Sequence, residues 1–129
     1  MKAVESCASC RCEYCLLDQA DAGFAQQIDH VISRKHGGAG QPDNLALACY
    51  LCNRYKGSDI ASIHPATREL VRLFHPRHDH WEEHFLIAGP ASEPLTDIGA
   101  VTAYLLRFNS PARVIERQLL QTLNHYPTA

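Results

Sequence analysis

The strongest constraint on the fold is a pair of Cys-x2-Cys motifs, Cys12/Cys15 and Cys49/Cys52, with 33 residues between them. Two such motifs allow four thiolates to converge in a tetrahedron, the arrangement that Zn²⁺ prefers in structural sites. Buried free thiols would not explain the paired spacing, and neither motif lies in the βαβ context of a thioredoxin-like redox pair. We therefore expect a structural zinc site that joins the two motifs.

A third cysteine pair, Cys7 and Cys10, has the same spacing and offers an alternative first half of this site. We favour Cys12 and Cys15 because their position brings them closer to the hairpin that the zinc would clamp. Cys7 and Cys10 then remain spare thiols near the N-terminus or form a weak adventitious site. A redox or metal-sensing protein that uses this spare pair is one alternative for the function.

Composition indicates an ordinary globular protein, because 46% of the 129 residues are hydrophobic and 20% are charged. We expect one domain, residues 1–129. No apolar run reaches the length of a membrane-spanning helix, and the N-terminus lacks the apolar core of a secretory signal, so we expect a cytoplasmic protein without a membrane partner. Cysteines in that compartment are more often metal ligands than disulfides. The net charge of −2 gives no overall electrostatic argument for nucleic-acid binding.

The segment between the two motifs predicts a hairpin followed by a short helix. "FAQQIDHVIS" and "LALACY" have strand-like apolar content, and the glycine-rich "RKHGGAGQPDN" separates them. "CNRYKG" provides a helical start and a glycine stop. Further strands are predicted at "ELVRLF" and "HFLIAG".

Two helices are predicted near the C-terminus, where we expect them to be packing elements rather than a site. The first begins behind a cap at Thr96/Asp97, and the second opens at Ser110 and Pro111. Their apolar residues recur at helical spacing: Ile98, Val101, Leu105 and Phe108 in the first, Ile115, Leu119 and Leu123 in the second. The predicted organisation is a core at about residues 12–60 and an extension at about 61–129 that carries both helices.

Three residues near the cysteine motifs suggest hydrolytic chemistry. Asp29 and Asn53 offer oxygen ligands for Mg²⁺ or a similar hard cation such as Mn²⁺. His30 offers an imidazole that can act as a base at neutral pH. The combination fits metal-assisted hydrolysis of a phosphodiester, in which His30 deprotonates the attacking water. Taken singly, each has a structural explanation: a turn acid, a surface histidine and a helix cap.

Basic side chains flank this candidate centre on both sides and predict contacts with nucleic-acid phosphates: Arg34, Lys35, His36, Arg54 and Lys56. Three later histidines, His75, His80 and His84, offer another metal site in principle. Surface or packing roles around Trp81 and Phe85 are favoured for them.

The motifs "CEYC … IDHVISRKHGG … DNLALACYLCNRYKG" resemble the HNH endonucleases, members of the His-Me finger (ββα-metal) group, in their zinc-knuckle subclass. "LFHPRHDHWEEHF" and "LTDIGAVTAYLLRFNSPARV" are similar to a prokaryotic group of small stand-alone HNH proteins. The resemblance extends from about Cys12 to Leu120. It implies an α+β fold with a ββα-metal core, a four-cysteine structural zinc site and packed C-terminal helices.

The resemblance also implies a role for each matching residue. His30 takes the first-histidine position as general base, preceded by the metal ligand Asp29. Asn44 takes the middle position, where it holds the loop so that a backbone carbonyl orients the histidine ring. Asn53 takes the final position as second metal ligand. The implied zinc ligands are Cys12, Cys15, Cys49 and Cys52.

The sequence departs from the family pattern at three points. Many relatives have glutamate where Asp29 stands. His78 and His80 fall in a stretch that is richer in arginine in relatives, which weakens the expected phosphate contacts at neutral pH. The segment before Cys12 is shorter than usual.

We therefore predict a metal-dependent HNH endonuclease that hydrolyses DNA with a catalytic Mg²⁺ or Mn²⁺ and a structural Zn²⁺. The main alternative is a catalytically silent zinc-knuckle module that binds nucleic acid or protein. The sequence leaves the oligomeric state open between a monomer and a homodimer.

Overall fold

The computed structural model describes residues 10–23 and 25–128. Cys7, half of the alternative first cysteine pair, lies outside the described residues. Within the described part, three two-stranded antiparallel sheets and four α-helices form a mixed α+β fold, which confirms the predicted fold class. No helix in this part of the chain is long and apolar enough to cross a membrane.

The predicted hairpin and short helix are present, and together they form a ββα unit. Asp29 lies opposite Ala46 in the antiparallel pair. The helix is capped at its N-terminus by Cys49, whose Sγ accepts the Cys52 backbone N–H, and at its C-terminus by Gly57, where φ is +53°. The elements are β1 (Gln27–His30), β2 (Leu45–Ala48) and α1 (Tyr50–Lys56).

The rest of the chain contributes two more hairpins and three helices. The strands predicted at "ELVRLF" and "HFLIAG" are confirmed, and each pairs with a neighbour along the chain. The elements are β3 (Ala61–Ile63), β4 (Leu70–Arg72), α2 (Trp81–His84), β5 (Phe85–Ala88), β6 (Ala91–Pro94), α3 (Asp97–Leu105) and α4 (Pro111–Thr122).

Helix α3 agrees with the sequence in its cap and in its buried face. The Thr96 hydroxyl accepts the Gly99 backbone N–H at 3.0 Å, which satisfies one of the free amides of the first turn. Val101 is completely buried in the helix, and Phe108, predicted on the same face, is also completely buried but lies beyond the last helical residue, Leu105. The predicted packing of this helix is therefore confirmed.

Helix α4 begins as predicted, with Pro111 in its first turn, but the predicted packing face is wrong. Its apolar row is exposed, at 65% for Ile115, 61% for Leu119 and 54% for Leu123. The buried residues are instead Arg113, Arg117 and Leu120.

The two buried arginines explain this inversion because the interior supplies acceptors for both guanidinium groups. Arg117 donates to the carbonyls of Pro90 at 2.7 Å and Phe108 at 2.5 Å. Arg113 donates to the Leu106 carbonyl at 2.7 Å. A buried cation with such partners is tolerated, whereas hydrophobic periodicity alone predicts the opposite face.

One hydrophobic core contains residues from both the cysteine-rich segment and the extension. Phe74 makes edge-to-face contacts with Tyr14 and with Phe85, at centroid distances of 6.5 and 5.6 Å. Arg77 pairs with Glu13 through both guanidinium Nη atoms and donates from Nε to the Leu45 carbonyl. These contacts hold the extension against β2 and support our proposal that the chain is a single domain.

Candidate active site and metal centre

The four cysteines predicted as zinc ligands lie together and are almost completely buried. All four Sγ atoms lie within 4.8 Å of one another, and the Sγ atoms of Cys15 and Cys49 are 3.7 Å apart. A tetrahedral Zn²⁺ with bonds of about 2.3 Å separates its sulfurs by about 3.8 Å. The cluster is therefore compatible with a structural zinc ion.

Backbone and side-chain donors surround these thiols. Cys12 Sγ accepts the Cys15 N–H at 3.4 Å, and Cys49 Sγ accepts the Cys52 N–H at 3.5 Å. Burial raises the pKa of Cys12 and Cys52, whereas hydrogen bonding with Cys12 lowers the pKa of Cys15 and of Cys49. The thiolate form is therefore favoured at Cys15 and Cys49 and opposed at Cys12 and Cys52. Burial by itself would lower the pKa of the nearby Arg113. The cysteine sulfurs beside it raise that pKa instead.

No second metal cluster forms from the later histidines. Among the described residues, the four cysteines are the only group of three or more His, Cys, Asp or Glu side chains whose ligand atoms converge. His84 Nδ1 instead lies 2.6 Å from the Thr96 hydroxyl. This contact agrees with the packing or surface roles predicted for the later histidines.

Asp29 lies on β1, is only 5% exposed and already has two partners. The Tyr14 hydroxyl donates to Asp29 Oδ2 at 2.7 Å. The Lys56 ammonium lies 3.2 Å from Oδ2 and 3.5 Å from Oδ1. Burial raises the pKa of Asp29, and Lys56 and Tyr14 oppose that rise. Both partners act mainly on Oδ2, so Oδ1 has only one long contact among the described residues.

The placement of Lys56 corrects its prediction as a phosphate contact. Its side chain is 1% exposed, and its ammonium lies between the Asp29 carboxylate and the His30 carbonyl, 3.4 Å from the latter. A buried ammonium held in this way does not reach a phosphate on the surface. Lys56 instead compensates the charge of Asp29.

Asn53, on α1, contacts β1 through Gln27. Asn53 Nδ2 donates to Gln27 Oε1. Because side chains alternate along a strand, Gln27 and Asp29 share one face of β1. Helix α1 therefore lays Asn53 and Lys56 against that same face. The amide oxygen of Asn53 remains the atom suited to a hard cation.

His30, the last residue of β1, has an orphaned ring nitrogen. Its Nε2 is buried, and no described residue gives it a hydrogen-bond partner. A Cβ built on Gly40 would lie 3.9 Å from this Nε2 and 3.7 Å from Arg34 Nη2. A side chain on Gly40 would therefore contact both the imidazole nitrogen and the guanidinium group, and glycine keeps that contact away. Such a nitrogen is chemically able to accept a proton from water.

Asn44 fixes the loop that follows His30. Its Oδ1 accepts the Ile32 N–H at 2.9 Å, and its Nδ2 donates to the carbonyls of Ile32 and Ala39, each at 2.8 Å. Its own carbonyl accepts the Val31 N–H at 2.9 Å. A Cβ on Gly38 would lie only 1.6 Å from the Ile32 carbonyl oxygen, so this close approach requires glycine.

The other predicted phosphate contacts lie on the surface. Arg34, Lys35 and His36 form an exposed 3₁₀ turn between β1 and β2. Arg54 is exposed on α1, 3.5 Å from the Tyr50 hydroxyl. All four are accessible to a polyanion.

Sequence reasoning missed Tyr14 as a partner of Asp29 and Arg113 as a partner of the thiols. Tyr14 carries a weak signal, because it stands between Cys12 and Cys15 and moves with them. Arg113 carries none, since its contacts with Cys49 and Cys52 span more than sixty residues of chain.

Residues 12–59 match the family model described as HNH endonuclease. No curated protein and no solved structure matches the chain. The matched segment contains the ββα unit and the four-cysteine cluster, and the cluster fits the zinc-knuckle subclass. Residues 12–59 are therefore similar to the HNH endonuclease family, and the rest of the chain lies outside the match.

Proposed function

We propose that this protein is a metal-dependent endonuclease that hydrolyses DNA phosphodiester bonds. The observation that carries the proposal is the orphaned Nε2 of His30 beside Gly40, within a segment that matches the HNH family. A buried polar atom without a partner is costly in a folded protein. A substrate water bound to Nε2 would give it one.

In this proposal His30 is the general base. It accepts a proton at Nε2 from the attacking water. Asp29 and Asn53 would hold the catalytic cation, and Asp29 Oδ1 is the oxygen less engaged by Lys56 and Tyr14. A bound Mg²⁺ or Mn²⁺ would supply positive charge that polarises the phosphate and stabilises the leaving oxygen.

The surrounding residues position the base and the substrate. Asn44 keeps the loop after His30 in one conformation through its three side-chain hydrogen bonds. The exposed cations beside the centre would bind DNA phosphates: Arg34, Lys35, His36 and Arg54. These cations would contact the DNA backbone, and none of them is assigned to the recognition of a base sequence.

We further propose that a structural Zn²⁺ occupies the cluster of Cys12, Cys15, Cys49 and Cys52. Four buried sulfur ligands leave no open position for substrate, so this metal would not take part in hydrolysis. It would fix the N-terminus of α1 and thereby the position of Asn53.

One observation favours the alternative, a catalytically silent module that binds nucleic acid or protein. The buried Asp29 already has a positive partner in Lys56. A carboxylate that is neutralised in this way does not need a cation for its stability. The two functions therefore differ in whether a divalent ion binds beside that ion pair.

A plasmid assay distinguishes them. Supercoiled DNA is incubated with the zinc-loaded protein in Mg²⁺, in Mn²⁺ or without added divalent cation, and DNA binding is measured in parallel. Nicked or linear product that depends on the cation, and that is lost in His30→Ala, supports the nuclease. DNA binding without cleavage in either cation would support the silent module.

A further inference from the structure

Arg113, on α4, contacts the cysteine cluster directly. Its Nη2 lies 3.3 Å from Cys52 Sγ and 3.7 Å from Cys49 Sγ. Its Nη1 donates to the carbonyl of Leu106 at 2.7 Å, which fixes the plane of the guanidinium group. One end of the side chain is thus held by backbone, and the other is directed at the second Cys-x2-Cys motif.

This contact is buried rather than incidental. Arg113 is 5% exposed, and Cys49 and Cys52 are 3% and 0% exposed. Buried guanidinium groups need charged or polar partners, and the two sulfurs are the anionic partners available when they bind a metal. The family match ends at residue 59, so Arg113 lies outside it.

A second contact from the same end of the chain reaches the first Cys-x2-Cys motif. The Tyr126 hydroxyl donates to the Cys15 carbonyl at 2.6 Å, and Tyr126 is itself 4% exposed. Helix α4 and the residues after it therefore bridge both halves of the cluster.

We propose that Arg113 is a positioning residue of the metal centre: it donates to the zinc-bound thiolates of Cys49 and Cys52 and makes zinc retention depend on the docking of α4. The proposal rests on the structural zinc and not on DNA cleavage. Four thiolates and one Zn²⁺ carry two net negative charges, and Arg113 cancels one of them inside the core. Hydrogen bonds from outside the ligand set commonly control how tightly a metal is held.

Helix α4 supplies a matched control one turn further on. Arg117 is buried like Arg113, at 2% exposure, and also donates to backbone carbonyls, those of Pro90 and Phe108. Among the described residues, Arg117 donates no hydrogen bond to a cysteine sulfur. Substituting Arg117 therefore removes a buried cation and its carbonyl bonds without removing a donor to the cluster.

The test measures zinc release from the zinc-loaded full chain to a chromogenic chelator at a temperature where circular dichroism shows every variant folded. We expect Arg113→Met to release zinc about 10 to 100 times faster than the wild type, and Arg117→Met to release it at the wild-type rate. In the cobalt-substituted protein, Arg113→Met should also shift the sulfur-to-metal charge-transfer band, while Arg117→Met should leave it unchanged.

If either methionine variant fails to fold, the pair Arg113→Lys and Arg117→Lys is measured in the same way. Lysine keeps the charge but lacks the fork that spans the sulfurs and the Leu106 carbonyl, so faster release is expected only at position 113. Wild-type release rates in the Arg113 variants would overturn the proposal, as would equal acceleration in the Arg117 variants. A wild-type protein that is folded but does not bind zinc would overturn the proposal as well.

Discussion

The Lys56 ammonium lies 3.2 Å from Asp29 Oδ2, with the two side chains 1% and 5% exposed. The Tyr14 hydroxyl contacts the same oxygen. The carboxylate that we propose as a ligand of the catalytic cation is therefore anchored on one side by a buried ion pair. This anchoring would orient Oδ1, and it also makes the ion pair a stability element of the ββα unit.

Breaking this ion pair from one side should destabilise the fold strongly. Lys56→Met leaves Asp29 buried without its cation, and we expect a loss of about 3–5 kcal/mol in the free energy of unfolding. The double variant Asp29→Asn/Lys56→Met should lose clearly less, because no unpaired charge remains. Denaturant unfolding of the zinc-loaded proteins measures both. A single variant as stable as the wild type would contradict the assigned pairing.

Asn44 should be necessary for order in the loop after His30. Asn44→Ala removes three hydrogen bonds to backbone groups, which we expect to cost about 1–3 kcal/mol and to speed hydrogen exchange at the Ile32 amide. Asn44→Asp keeps the acceptor for Ile32 but places a carboxylate against two carbonyls, so it should cost at least as much. Unchanged exchange at Ile32 in Asn44→Ala would be inconsistent with this structure.

Alanine substitutions at two neighbouring leucines on α4 should change the free energy of unfolding by very different amounts. Leu120 is 8% exposed, so Leu120→Ala should cost about 2–5 kcal/mol. Leu119 is 61% exposed, and Leu119→Ala should change stability by less than about 0.5 kcal/mol. Thermal or denaturant unfolding decides between the two faces. A larger loss at Leu119 than at Leu120 would restore the face predicted from periodicity.

His75 should make stability depend on pH near neutrality. Its ring stacks on His78 with centroids 3.9 Å apart, and burial, with the neighbouring His78, lowers the pKa of His75. In the unfolded chain, the pKa of a histidine is about 6.5. The stabilisation by neutral His75 is therefore present above that pH and is lost as the pH falls through the lower pKa of the folded state.

Two measurements check this pH dependence. Histidine NMR should show His75 titrating below the ordinary range, and His78→Asn should move its pKa back towards that range. The decline in unfolding free energy below about pH 6.5 should be smaller in the same variant. An unchanged pKa for His75 in His78→Asn would show that the stacked neighbour has no effect.

The sequence predicted those parts of the molecule that depend on short-range spacing. The Cys-x2-Cys pairs, the strands on either side of the glycine-rich loop, and the caps at Thr96 and Pro111 all have local signatures. Asp29 and His30 were proposed as site residues from the segment between the two cysteine motifs, and Asn53 because it directly follows Cys52.

The features that were missed depend on partners distant in the sequence. Arg113 and Arg117 are buried because carbonyls of other segments, and for Arg113 two sulfurs, accept their hydrogen bonds. Nothing near them in the chain signals this, whereas the leucines of α4 follow a regular helical pattern. Lys56 was placed on the surface for the same reason, since its partner Asp29 lies 27 residues earlier.

The central claim is that His30 acts as the base in DNA hydrolysis. The most direct test compares single-turnover cleavage by the wild type and His30→Ala at saturating protein, with His80→Ala as the control. His80 is an exposed histidine whose side chain makes no capping hydrogen bond. We predict that His30→Ala is about 10²–10⁴ times slower with unchanged zinc content and DNA binding, while His80→Ala cleaves normally. Equal cleavage rates in the wild type and His30→Ala would contradict the account.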